Sequence, residues 1–130
     1  MFNSVTLVAS DRLRVHERIN EAHLLVLLRQ IASDGFIDEP LIVDENTLII
    51  LDGHHRYTAA QRLGLKLLPV CFVDYRCSHI KVFAWRAGER VTKAMVIRAG
   101  LQGKLLKPKT SRHLISNKPC GLKISLNLLK

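Results

Sequence analysis

The sequence predicts a small α/β (α+β) domain in which helices flank a mixed β-sheet. Residues 67–73 form a continuous apolar run, which is typical of a strand buried on both faces. In residues 21–33, apolar side chains recur at helical spacing before a stop at Asp34-Gly35. The chain has 130 residues, of which 48% are apolar and 24% charged. This length and composition predict one globular domain over residues 1–130.

Before the run at 67–73, the chain divides into short elements. Residues 5–8 predict a strand, and residues 11–20 are polar and irregular. Strands are predicted at 40–43 and 48–51, joined by a turn at 44–47. A helix then follows Asp52-Gly53 and reaches residue 63, where Gly64 ends it.

The remaining elements are predicted from weaker patterns. Thr92 caps a helix that runs to residue 99, and Gly100 ends it. The others, in order, are a strand at 80–85, a turn at 86–89, a polar loop at 107–113 and a half-exposed strand at 122–128, where apolar and polar residues alternate.

The net charge of +9 lies in one part of the chain. Residues 1–89 carry 10 Lys/Arg and 11 Asp/Glu, whereas residues 90–130 carry 10 Lys/Arg and no acid. This asymmetry predicts an anionic partner for the C-terminal third, or simply a solvated basic face. Charge alone does not separate nucleic acid from a nucleotide or a phosphorylated product.

Cysteine usage and apolar run lengths exclude several classes of protein. The 3 cysteines lack C-x-x-C spacing, which argues against a zinc site or a disulfide framework. No apolar run approaches the roughly 20 residues that span a bilayer. Residues 1–5 lack the layout of a secretion signal. We therefore expect a cytoplasmic protein without a membrane partner.

The turn after residues 48–51 carries the most chemistry. An apolar strand ends at Asp52-Gly53, and His54, His55 and Arg56 open the next helix. Backbone N–H groups and the helix dipole converge at such a turn, which suits a phosphate. Gly53 permits close backbone approach, and Arg56 offers a fork matched to phosphate oxygens. The Asp52 carboxylate indicates that a metal ion or a transferable proton is also handled there.

These motifs have a recognisable order. A helix, Asp34-Gly35, a hairpin, the turn at 52–56, a helix, Gly64 and a strand resemble the ParB/sulfiredoxin-like fold. The Asp-Gly-His-His-Arg form of the turn resembles free L-serine kinases of archaea and some bacteria. His16-Glu17 before the first helix, Trp85 in a later strand and residues 108–113 (Pro-Lys-Thr-Ser-Arg-His) match further motifs of that family. The similarity runs from about residue 13 to the end.

The resemblance implies an enzyme that transfers a phosphoryl group from ATP or ADP to L-serine, giving O-phospho-L-serine, with Mg²⁺. It leaves the donor and the oligomeric state open. Asp52 would position the metal, held largely through the donor phosphates, or orient the acceptor. The other implied roles are Glu17 as general base, Gly53, His54, His55 and Arg56 as phosphate ligands, Trp85 as a wall of the serine pocket, and Ser111, Arg112 and His113 as ligands of serine or its phosphate.

Other interpretations remain at this point. Trp85 would by default be a core aromatic residue. A ParB-like nucleotide-gated nucleic-acid-binding module without kinase activity would use the basic C-terminal third. The sequence lacks the Gly-Glu-Arg-Arg turn and the helical DNA-binding domain of ParB proteins, which argues against a nucleic-acid partner. Sulfiredoxins place a reactive cysteine after this glycine, where His54 stands. The connection from Arg86 to Lys107 is also shorter than in many serine kinases.

Overall fold

A computed structural model of the protein describes residues 5–116, 118–119 and 121–130. Cys120 lies outside the described residues. So do four of the five N-terminal residues that were compared with a secretion signal. None of the helices in these ranges is long and apolar enough to span a bilayer. The elements, in order, are β1 (Thr6–Ala9), a 3₁₀ turn (Ser10–Arg12), α1 (Glu21–Asp34), β2 (Phe36–Ile37), β3 (Leu41–Asp44), β4 (Ile50–Asp52), α2 (His54–Arg62), β5 (Leu67–Val73), β6 (Lys81–Ala84), α3 (Lys93–Gln102), β7 (Ser111–Leu114), β8 (Ile124–Ser125) and α4 (Leu126–Leu129).

The main sheet has the strand order β1-β5-β3-β4. Strands β3 and β5 are parallel, whereas the β1–β5 and β3–β4 pairs are antiparallel. The prediction of a mixed sheet is therefore confirmed. Two two-stranded ribbons, β2–β8 and β6–β7, complete the pairing of the described strands.

The two faces of the sheet bury separate apolar cores. On one face, Leu68 and Val70 of β5 pack with α1 and α2 around Leu24 and Ala60. On the other, Cys71 and Val73 pack with Tyr75, Ile80 and Val96, which come from the second half of the chain. Because strand side chains alternate in direction, one continuous apolar run serves both cores. The burial predicted for β5 is confirmed.

Local capping signals explain the helix boundaries that were predicted well. The Asn20 side chain accepts a hydrogen bond from the His23 N–H (3.0 Å), and Gly35, with φ of 77°, ends α1. The Thr92 hydroxyl accepts from the Met95 N–H (3.2 Å) at the start of α3.

The predicted end of α3 at Gly100 is wrong. The helix continues to Gln102, and Gly103 in the left-handed conformation follows it. Gly100 lies against Ile49, where an added Cβ would be 2.6 Å from the Ile49 Cδ1. The glycine permits close packing of helix on sheet and does not terminate the helix.

Two predictions for the C-terminal part are also wrong. Residues 111–113 of the predicted polar loop belong to β7, which pairs antiparallel with β6. Of the strand predicted at 122–128, only β8 pairs with another strand, namely β2, which the sequence did not predict. Residues 126–128 lie in α4, because Ser125 caps a turn that brings Leu129 into the core at 0% exposure.

We expect Gly100→Ala to destabilise the fold although alanine is the better helix former by about 1 kcal/mol. The added methyl group would overlap Ile49, and overpacking of this kind costs about 1–3 kcal/mol. Urea unfolding should therefore give a lower midpoint, and the double variant Gly100→Ala with Ile49→Val should recover part of the loss. A higher midpoint for Gly100→Ala alone would contradict the packing described.

Candidate functional site

The turn between β4 and α2 has the geometry of an anion site. Gly53 has φ of 110°, and an added Cβ would collide with the Leu41 side chain, so only glycine fits there. The Tyr57 N–H donates to the Gly53 carbonyl (2.8 Å), which closes the first turn of α2. The backbone N–H groups of residues 54–56 precede that bond, so they have no acceptor within the helix and are the groups that an anion would meet.

A cleft of about 370 Å³ lies beside this turn. It brings together nine of the ten side chains predicted for the site, although they come from four separate parts of the sequence. Its lining residues are Glu17, His23, Leu51, Asp52, Gly53, His54, His55, Trp85, Lys109, Ser111, Arg112, His113 and Lys118.

Ser111 joins two walls of the cleft. Its backbone N–H and its hydroxyl both contact Glu17 Oε1, at 2.9 and 2.8 Å. Its carbonyl accepts a hydrogen bond from Trp85 Nε1 at 2.9 Å. Ser111 therefore holds the predicted base and the predicted pocket wall. The implied role of Ser111 as a substrate ligand stays a prediction.

Trp85 is 53% exposed, which excludes a core position. The Arg112 guanidinium lies 5.2 Å from the centre of its ring, within cation–π range. Together they give the cleft an apolar wall beside a cation that can meet a carboxylate or a phosphate.

His54 and His55 hold the loop that carries Glu17. His54 Nε2 accepts the backbone N–H of His16 (3.1 Å), and His55 Nε2 accepts that of Asn20 (3.0 Å). These bonds lie on either side of Glu17 in the sequence. In a neutral ring, each Nδ1 then carries the hydrogen. The two side chains therefore anchor the loop, while their backbone N–H groups remain at the anion site.

His16 is part of the site, although the sequence gave it no role. It is 1% exposed; its Nδ1 lies 2.8 Å from the Ile50 carbonyl and its Nε2 lies 3.0 Å from Ser111 Oγ. Its ring meets those of His54 and His113 in edge-to-face contacts, at 4.4 and 5.7 Å between centroids. Its place beside Glu17 was the available signal, but its burial arises from contacts distant in sequence.

Burial makes the clustered histidines poor bases. It lowers the pKa of His16 to about 4, against the opposing effect of the Ile50 hydrogen bond. Burial also lowers the pKa of His54 well below its usual value, and repulsion from a protonated His16 would lower it further. Both rings are therefore neutral at physiological pH and act as hydrogen-bond acceptors.

Two predicted ligands have partners within the protein. Asp52 forms an ion pair with Lys118 (2.9 Å), a residue the sequence analysis did not single out. His113 Nε2 lies 2.7 Å from the Tyr75 hydroxyl. Lys118 and Lys109 add cations to the cleft, as expected from a C-terminal third without acids.

Arg56 is the predicted site residue that lies apart from the cleft. Its guanidinium contacts Glu39 (3.0 Å) and the Pro40 carbonyl (3.3 Å). Arg56 lines a second cavity of about 210 Å³, which includes Phe36 and Ile37 of β2. The two cavities are neighbours, because an added Cβ on Gly53 would be 3.0 Å from Arg56 Nη1.

The chain is similar to curated L-serine kinases, which confirms the resemblance seen in the sequence. No family model matches the chain. It is 35% identical over 83 residues to an "ATP-dependent L-serine kinase" of Staphylothermus marinus, covering 61% of this chain and 33% of that protein. It is 29% identical over 79 residues to an "ADP-dependent L-serine kinase" of Thermococcus kodakarensis, covering 58% and 33%. It is also 36% identical over 78 residues to a "ParB-like protein" of Sulfolobus acidocaldarius, covering 60% and 39%. The chain thus spans little more than a third of these proteins.

Solved structures show the same fold. A free serine kinase in complex with AMP superposes with a TM-score of 0.88 at 16% identity, covering 97% of this chain and 93% of that one. A mutant free serine kinase in complex with ADP gives a TM-score of 0.89 at 15% identity, covering 100% and 95%. The predicted fold class is confirmed.

We expect the free energy of unfolding to decrease as the pH falls from about 6.5 towards 4. His16 and His54 bind a proton less readily in the folded than in the unfolded chain, so their contribution is fully present only above about pH 6.5. A pKa lowered from 6.5 to about 4 corresponds to about 3 kcal/mol for His16. Urea titrations at several pH values measure this slope.

The exposed His79 provides a matched control, since His79→Gln removes an imidazole that lies outside the buried cluster. An unfolding free energy that stays constant between pH 7 and pH 4.5 would contradict the burial of neutral histidines.

Proposed function

We propose that this chain is a nucleotide-dependent free L-serine kinase, which transfers a phosphoryl group from ATP or ADP to the serine hydroxyl and yields O-phospho-L-serine. One observation carries the proposal: a carboxylate fixed by Ser111 faces the same cleft as the open N-terminus of α2. Phosphoryl transfer needs a base near the acceptor and donors around the phosphates, and little covalent chemistry from the protein. The similarity to proteins named L-serine kinases supports this assignment.

The donor would lie across the two cavities. Its phosphates would bind the backbone N–H groups at the start of α2, beside Gly53. Its base would occupy the cavity lined by Phe36 and Ile37. Arg56 lies between these places and would contact the nucleotide after partial release from Glu39. Two solved structures of the same fold are complexes with AMP or ADP, which supports a nucleotide in this fold.

The acceptor would lie between Glu17 and Trp85. The serine hydroxyl would give its proton to Glu17 while its oxygen attacks the terminal phosphorus of the donor. The bond from that phosphorus to the bridging oxygen breaks, and the nucleotide leaves one phosphate shorter. A positioned base contributes about 10²–10⁴ in rate. Arg112 would bind the serine carboxylate or the transferred group beside the Trp85 ring.

Asp52 is suited to a magnesium ion carried by the nucleotide. The described residues contain no cluster of three or more His, Cys, Asp or Glu side chains that could hold a metal. Magnesium commonly takes one or two carboxylates together with phosphate oxygens, and Asp52 supplies one carboxylate at the cleft. When bound, the ion would neutralise phosphate charge, and Lys118 would leave Asp52 for the phosphates.

A second candidate is nucleic-acid binding without kinase activity. The similarity to a protein named ParB-like and the basic, acid-free residues 90–130 favour it. Binding through backbone phosphates would fall by about 10³–10⁵ between 50 and 200 mM salt if six or more phosphates were contacted. A chain that shows this loss and no turnover of serine would be a binding module.

The kinase proposal is tested by incubating the chain with L-serine, Mg²⁺ and either ATP or ADP, and measuring O-phosphoserine. We expect product with at least one donor. Glu17→Gln should reduce kcat by about 10²- to 10⁴-fold with little change in nucleotide affinity, because it removes the base and keeps the shape.

Glu45→Gln is a matched control, because Glu45 is an exposed glutamate in the turn between β3 and β4 and lines neither of the two cavities. This variant should keep the wild-type kcat. Absence of product with both donors would end the kinase proposal, and full activity of Glu17→Gln would exclude Glu17 as the base.

A further inference from the structure

The Ser111 hydroxyl lies within hydrogen-bond distance of two acceptors but has only one hydrogen to donate. Ser111 Oγ lies 2.8 Å from Glu17 Oε1 and 3.0 Å from His16 Nε2. A hydroxyl group carries one hydrogen and cannot donate to both. The distances therefore place a single donor between two candidate acceptors.

The tautomer of His16 determines whether its Nε2 competes with Glu17 for the Ser111 hydrogen. Its Nδ1 lies 2.8 Å from the Ile50 carbonyl, which can only accept, so Nδ1 carries the ring hydrogen. The ring is 1% exposed and its pKa is lowered to about 4 by burial, so it stays neutral. Its Nε2 is then a bare acceptor facing Ser111. With Glu17 ionised, one of the two acceptors has no hydrogen from this serine.

We propose that His16 is a positioning residue that makes the Ser111 hydroxyl a two-way donor, which points to Glu17 while Glu17 is ionised and turns to His16 when Glu17 holds a proton. The proposal rests on the kinase function above, in which that proton comes from the acceptor hydroxyl. The proton moves from the acceptor oxygen to Glu17, and Ser111 only rotates its O–H bond. The bonds at phosphorus change as in the proposed transfer, and no covalent bond of Ser111 or His16 is made or broken.

The arrangement gives Ser111 and His16 opposite effects on the base. The hydroxyl stabilises the carboxylate, whereas His16 competes for that hydroxyl and so favours the protonated acid. Removal of the two groups should therefore shift the titration of Glu17 in opposite directions. General loss of structure would shift both variants alike. Other titratable or charged groups surround Glu17, Ser111 and His16. The rings of His54 and His113 contact the His16 ring. The cleft is also lined by Asp52, His23, His55, Lys109, Arg112 and Lys118.

The test is a ¹³C NMR titration of the Glu17 carboxyl carbon in the nucleotide-free protein. We expect a midpoint lower by about one pH unit in His16→Phe and higher by about one unit in Ser111→Ala, since a hydrogen bond to a charged group is worth about this much. Ser111→Thr keeps the hydroxyl and should stay close to the wild type. The NMR titration needs no turnover. Its result can therefore contradict the role of His16 while the kinase assay gives product, and it can support that role while the assay gives none.

A second measurement avoids any change at His16. In Glu17→Gln the neighbour of Ser111 is permanently uncharged, so the hydroxyl should turn to His16. The ¹⁵N resonance of His16 Nε2 at pH 7 should then move relative to the wild type, while that of Nδ1 stays in place. An unchanged Nε2 resonance, or shifts of the Glu17 midpoint in the same direction in His16→Phe and Ser111→Ala, would overturn the proposal.

Discussion

The paired contact between Ser111 and Glu17 is the interaction on which the cleft depends. It joins residues that are 94 positions apart in the sequence. Strand β7 belongs to a two-stranded ribbon with β6, and such a ribbon is marginally stable alone. Both hydrogen bonds end on one carboxylate oxygen, and the Ser111 carbonyl holds Trp85. One residue thus fixes the ribbon, the candidate base and the pocket wall relative to one another.

Three imidazoles that accept hydrogen bonds complete this arrangement. His54 and His55 accept hydrogen bonds from backbone N–H groups on both sides of Glu17. The Nε2 of His16 lies beside the Ser111 hydroxyl, which also contacts Glu17. Each role needs a bare ring nitrogen, which a protonated ring lacks. Burial supplies it by disfavouring the charged form. Order in the Glu17 loop is therefore linked to pH, because the bonds that position the carboxylate are lost when the rings become charged.

Elements with strong local signals followed from the sequence. The helix ended by Gly35, strand β5 and the turn at Gly53 depend on short-range spacing, and all three were predicted. Strand β7 has no such signal, because three of its four residues are polar and its order comes from pairing with β6. His16 and Lys118 joined the site through partners distant in sequence. Arg56 was placed correctly on α2, but the ion pair with Glu39 that draws its guanidinium away from the cleft is also non-local.

The central claim is that the start of α2 and the Glu17 carboxylate serve one reaction centre. A crystal structure with L-serine, Mg²⁺ and a non-hydrolysable nucleotide tests it most directly. We predict the terminal phosphate at the backbone N–H groups of residues 54–56, with the serine hydroxyl in hydrogen-bond contact with Glu17 and in line with the phosphorus. A nucleotide bound away from this turn, or a serine whose hydroxyl lies remote from Glu17, would contradict the account.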